Sequence, residues 1–145
     1  VLIESGDDMP AGNAHRILET LRTAFTALGP GYVAATATAD GTGSGTLREN
    51  RLVQFVVPTW GAATNILTLP IPMPGKIVII AGAATGGELR SNDPATVGIN
   101  GGTGASAESA VAASELVVAI CESSTSWKAF TITSNGTTAG LEAAA

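Results

Sequence analysis

The stretch Asn65-Ile66-Leu67-Thr68-Leu69-Pro70-Ile71-Pro72-Met73-Pro74-Gly75-Lys76-Ile77-Val78-Ile79-Ile80-Ala81 decides the fold class. Asn65 to Leu69 reads as a short strand that stops at Pro70. Three prolines in five residues, Pro70, Pro72 and Pro74, then exclude regular ladder pairing, because each lacks an N–H. Gly75 permits a tight turn, and Lys76 to Ala81 follows as a continuous apolar run. A run of that length bounded by turn residues fits a strand buried on both faces. Two strands joined by a proline loop, with no helix between them, point to a β-rich protein.

Working outward, the same texture continues on both sides. Upstream, Arg51 to Val57 reads as a strand ended by Pro58, and Tyr32 to Ala39 as another, followed by the turn Asp40-Gly41-Thr42-Gly43-Ser44-Gly45. Downstream, residues 82–95 read as a Gly-rich polar connection, and Thr96 to Asn100 as a short strand closed by Gly101-Gly102-Thr103-Gly104. Residues 105–114 are alanine-rich and fit helix by propensity or strand by context. Glu115 to Cys121 and Trp127 to Thr133 form a hairpin pattern around Glu122-Ser123-Ser124-Thr125-Ser126. Asn135-Gly136 is a further turn, and the tail from Thr137 is a flexible end or a last edge strand. About seven short strands with Gly, Pro and Ser punctuation give the expected fold: mainly β, an antiparallel β-sandwich or jelly-roll-like domain.

The N-terminal part differs. Residues 1–12 read as an extended arm, and Asn13 offers a side-chain cap to a helix at about 13–28. Ile17, Leu18, Leu21, Ala24, Phe25 and Leu28 fall at helical spacing, with Arg16, Glu19, Thr20, Arg22 and Thr23 on the other face. Gly29-Pro30-Gly31 stops the helix. The expectation is that the stripe Ile17, Leu21, Phe25 and Leu28 is buried within the chain's own domain. The organisation is thus an arm, 1–12, and a single β-rich domain, 13–145, that includes the helix.

Composition narrows the function. The chain has 145 residues, 45% of them hydrophobic, 18 glycines and a net charge of −5. Only 13% are charged, against about 25% in an ordinary soluble domain, which suits a surface partly covered by neighbours. Arg51, Lys76 and Arg90 face a single acid, Glu88, across residues 51–90, while both flanking parts are acidic. No basic patch exists for phosphates, so nucleic acid is not an expected partner. No apolar run approaches the roughly 18 residues of a membrane helix, and Val1 to Asp8 lacks the basic region and apolar core of a signal peptide. Neither a membrane nor an export route is expected, which places synthesis in the cytoplasm of the producing cell.

Catalytic and metal-binding patterns are missing from the sequence. His15 is the single histidine, and a residue early in an exposed helix face needs no partner. Cys121 is the single cysteine, so there is no disulfide framework. Its place in the run Leu116 to Cys121 makes it a buried, inert thiol. No Cys/His set has zinc spacing, and Asp7-Asp8 lacks the repeated acids of a calcium loop. Gly75-Lys76 is followed by Ile77 rather than Ser or Thr, so no phosphate loop is present. An enzyme would have to assemble an acid/base pair from scattered carboxylates such as Glu49, Glu88, Glu115 or Glu122. The expectation is no catalytic residue, no metal and no cofactor. Of the two tryptophans, Trp127 alternates with Ala129 and Thr131 and reads as core, whereas Trp60 sits beside Gly61 in a loop and reads as a candidate contact.

The order of features from Arg51 to about Gly136 resembles a β-domain of tailed-bacteriophage capsid decoration (cement) proteins, which is shared with phage fibre proteins. The features are the strand Arg51 to Val57, the strand Ile66 to Leu69 running into Pro70 and Pro72, and the turn Pro74-Gly75 before Lys76 to Ile80. Next come Val97 to Gly102 and the hairpin Leu116 to Trp127 with its polar tip. The tip departs from the usual pattern, with Ser123-Ser124-Thr125-Ser126 in place of an Asp-Gly or Asn-Gly turn, and residues 1–31 lie outside the resemblance. What the resemblance implies is a structural protein of the virion that decorates and stabilises the outer capsid surface as a trimer at three-fold positions. Its partners are then the major capsid protein and itself. The N-terminal arm then reaches a neighbouring subunit, which makes Leu2, Ile3, Asp7, Asp8 and Met9 candidate contacts beside Trp60. A fibre or receptor-binding module is the alternative that the shared β-domain leaves open.

Overall fold

The computed structural model describes residues 11–28, 31–104 and 107–141. These form one helix, α1 (Ala11–Leu28), and ten strands: β1 (Gly31–Thr36), β2 (Val53–Thr59), β3 (Ile66–Thr68), β4 (Ile77–Ile80), β5 (Gly87–Arg90), β6 (Gly98–Ile99), β7 (Glu108–Val111), β8 (Leu116–Ser123), β9 (Ser126–Ile132) and β10 (Thr138–Gly140). The protein is mainly β, as its punctuation implies.

The strands make two sheets. A seven-stranded sheet runs β1-β2-β4-β8-β9-β10, with β6 sharing the outer edge of β9. A three-stranded sheet runs β3-β5-β7. Both are mixed rather than antiparallel. β1 with β2, β2 with β4, β6 with β9 and β3 with β5 are parallel, whereas β4 with β8, β8 with β9, β9 with β10 and β5 with β7 are antiparallel. The expectation of an antiparallel arrangement is corrected here, for a physical reason. Antiparallel neighbours need only a short turn, but strands separated by long loops can meet in either direction. Residues 37–52 between β1 and β2, and residues 60–76 between β2 and β4, which include β3, are long enough to bring the chain back in parallel.

Alternation sets the inner face. Along β2, Gln54, Val56 and Pro58 are buried while Phe55, Val57 and Thr59 are exposed. Val78 and Ile80 of β4, Val117, Ala119 and Cys121 of β8, and Trp127 and Ala129 of β9 continue that face. Leu67 of β3, Leu89 of β5 and Val111 of β7 come from the small sheet into the same core. The apolar run Ile77 to Ile80, expected to be buried on both faces, is fully buried only at Val78 and Ile80; Ile77 and Ile79 are half-buried on the outer face.

Pro58 does not end β2. Ala81 N donates to Val56 O at 2.8 Å, and Ala37 N donates to Thr59 O at 3.0 Å. Even-numbered residues of β2 therefore turn their backbone groups toward β4 and odd-numbered ones toward β1. The N–H that Pro58 lacks points to the β4 side, where the last pair is Val56 with Ile80. Proline stops one ladder and leaves the other intact through Ala35↔Pro58 and Thr36↔Thr59.

Two segments resolve in ways the sequence leaves open. The Gly-rich connection 82–95 holds β5, and the alanine-rich 105–114 holds β7, paired through Gly87↔Val111 to Arg90↔Glu108. The tail forms the edge strand β10, tied down by Asn100. Asn100 Nδ2 donates to Ala129 O and Leu141 O, and its Oδ1 accepts from Ala129 N.

At the other terminus, the helix starts at Ala11, so Asn13 lies inside it and is not its cap. Of the stripe, Leu21 is 48% exposed, with Leu18 beside it at 65%, and Ile17 is half-buried; the side chains of Phe25 and Leu28 lie outside the described ones. The core contains no side chain from the described part of α1. The other arm residues, 1–10, with candidate contacts Leu2, Ile3, Asp7, Asp8 and Met9, lie outside the described residues.

Candidate interaction surface

Trp60 is not a surface contact. It is 8% exposed and belongs to the core, with its ring against the backbone of Gly87. A loop position beside Gly61 is consistent with either placement, and only the arrival of β5 decides it. Trp127 is fully buried, as its alternation implies.

Of the four carboxylates, Glu88 and Glu115 line one cavity, with Val111 and Thr131, and Glu49 and Glu122 lie outside it. Both oxygens of Glu49 accept from Ile71 N, at 2.9 and 2.8 Å. Glu115 accepts from Ala112 N at 3.3 Å, and Glu122 from Ser126 Oγ at 3.0 Å. Glu88 lies on the small sheet near Glu108, whose carboxylate pairs with Arg90 at 3.4 Å. Burial, then the hydrogen bond and charge of Glu108, push the Glu88 carboxyl above its ordinary 4.5. Burial likewise raises the Cys121 thiol, which donates to Ser123 O at 3.1 Å. Among the described residues no group of three or more His, Cys, Asp or Glu is placed to hold a metal ion. No described helix is long and apolar enough to cross a membrane.

What the surface does offer is apolar. Ile71 and Met73 project from the loop Pro70–Gly75 at 58% and 54% exposure, and Leu52 is exposed close by, its carbonyl accepting from Ile77 N. Three prolines restrict the loop's backbone, and a buried lysine clamps it. Lys76, 3% exposed, donates from Nζ to Ile71 O at 3.0 Å and to Glu49 Oε2 at 3.3 Å. Gly75 N donates to Cys121 O and Lys76 N to Met73 O, so the loop is fixed at both ends. Large apolar side chains on a rigid loop lose little conformational entropy on binding, which is the physical advantage of preorganisation.

Strand direction places this loop. β2 and β4 begin beside it, and β1 begins level with them through Gly31↔Gln54. α1, which ends at Leu28, therefore joins the sheet at the same end as Leu52, Ile71 and Met73. The outer face of the large sheet rises from there, with Phe55, Val57 and Ile120 exposed. The signal for the tip was present in the sequence as Pro-Ile-Pro-Met-Pro, which places two large apolar residues where no strand can bury them.

No family model, curated protein or solved structure matches this chain.

Proposed function

We propose that the protein is a structural component of a phage virion, a decoration protein that sits on the capsid as a trimer at three-fold positions. In this reading the two sheets around one core form the jelly-roll-like sandwich of such proteins, and the major capsid protein is the partner. The observation that carries it is the clamped apolar tip, Leu52, Ile71 and Met73, at the end of the body from which α1 departs. A rigid apolar end and an N-terminal segment leaving from the same place suit attachment to a surface. The fibre or receptor-binding alternative rests on the shared β-domain; Trp60, a candidate contact in either reading, is in the core and supports neither.

The test is to mix the protein with undecorated shells, pellet them and weigh the bound protein. Saturation at a lattice-defined ratio supports the reading. A protein that stays in the supernatant at every concentration sinks it.

A further inference from the structure

Residues of α1 repeat in sevens. Ala14, Leu21 and Leu28 occupy one position of a heptad, Ile17 and Ala24 a second three residues later, and Leu18 and Phe25 the next. Every charged or titratable residue of the helix falls elsewhere: His15, Arg16, Glu19 and Arg22 lie on the opposite side, where Arg22 pairs with Glu19 at 3.7 Å. The seam is thus free of charge, so identical helices can meet along it without like-charge repulsion. Leu21 and Leu28 at the first heptad position and Ile17 at the fourth follow the pattern that favours three or four strands over two, with Ala14 and Ala24 filling the remaining seam positions. Apolar residues at the fifth position widen the seam in the same sense.

The helix also needs a partner. Eighteen residues make a rod of about 27 Å, and a helix of mixed composition near that length is marginal alone in water. The body supplies no cover, since Leu18 and Leu21 stand in solvent and the core takes no described α1 side chain.

We infer that α1 is the self-association element of this protein: three copies join in parallel through the stripe Ala14, Ile17, Leu18, Leu21, forming a short helical bundle at the tip end of the β-bodies. Closed three-fold symmetry requires the parallel arrangement. The inference rests on the trimer part of the proposed function and is independent of the capsid part.

Sedimentation equilibrium of the full chain tests it, with Leu21→Glu in the seam, Thr23→Glu on the polar face and Phe55→Ser on the outer sheet face. Wild type, Thr23→Glu and Phe55→Ser are expected at three times the 14.4 kDa chain mass, and Leu21→Glu at one chain mass with a loss of helical circular dichroism. The urea midpoint of the β-body in monomeric Leu21→Glu serves as the folding control and is expected to match that of wild type diluted to monomer. A wild type that sediments as anything but three chains overturns the inference. So does a Leu21→Glu protein that keeps its trimer, or a Phe55→Ser protein that loses it, which would seat the stripe on a neighbour's sheet. Failure of the capsid reading looks different: the trimer dissolves in Leu21→Glu, yet wild type ignores the shells.

Discussion

A methyl group added at Gly87 would overlap the Trp60 ring at Cε3 and Cζ3. Both residues are buried, so neither has room to yield. Gly87→Ala is therefore expected to destabilise the protein by about 1–3 kcal/mol, the usual range for overpacking a core. Urea denaturation reads it directly, and an unchanged midpoint would show that the ring can move. Glu88 gives a pH-dependent counterpart. Its folded-state carboxyl is held above 4.5 by burial and by Glu108. The folded state thus binds that proton more tightly than the unfolded state, and stability falls as pH rises through the window above 4.5. Glu88→Gln is expected to raise the midpoint at pH 7 relative to wild type, with the gain shrinking toward pH 4. A gain that is instead larger at pH 4 reverses the sign and refutes the account. Trp60 carries the lesson at this scale: its loop position was legible, but its burial was not. A tryptophan is buried when another segment covers it, and the covering segment starts 27 positions later in the sequence.

At the scale of elements, the strands with strong apolar alternation, β2, β4, β8 and β9, were legible because their own residues carry the period. β5 and β7 were not. Gly-Glu-Leu-Arg and Glu-Ser-Ala-Val are too short and too polar to show a period. They become strands because β3 and β5 offer paired edges across the small sheet. β10 is a similar case, exposed along its length and held by Asn100. Asn100 also sits at φ 53, a region that Asn tolerates better than most side chains. Asn100→Ala removes three hydrogen bonds and strains the backbone, an expected loss of about 1–3 kcal/mol. Hydrogen exchange should localise that loss to β10 and Leu141. Uniform loosening of the whole sheet would argue against a local staple.

For the whole molecule, the distribution of apolar surface matters more than its amount. Ile71 and Met73 stand on a loop whose shape is set by prolines and by Lys76, not by their own packing. Replacing both, Ile71→Ser with Met73→Ser, should leave the urea midpoint within about 0.5 kcal/mol of wild type, as exposed positions do. Binding to shells is expected to fall at least tenfold, measured by pelleting. Binding that survives unchanged would remove the tip from the contact. The same reasoning separates α1 from the body: a stripe that leaves the core intact when altered acts through something outside the chain.

The sequence by itself determined the β class, the helix and its stop, the proline loop, the hairpin and the inner face of the long strands. Each of these depends on a local period or on a residue that forbids an alternative. The tertiary structure decided the parallel pairings, the strands β5 and β7, the burial of Trp60 and the exposure of Leu18 and Leu21 on α1. Those depend on which distant segment arrives beside which. An amphipathic stripe, like a loop tryptophan, records only that something must cover it, and the covering surface is a property of the assembled fold rather than of the local chain.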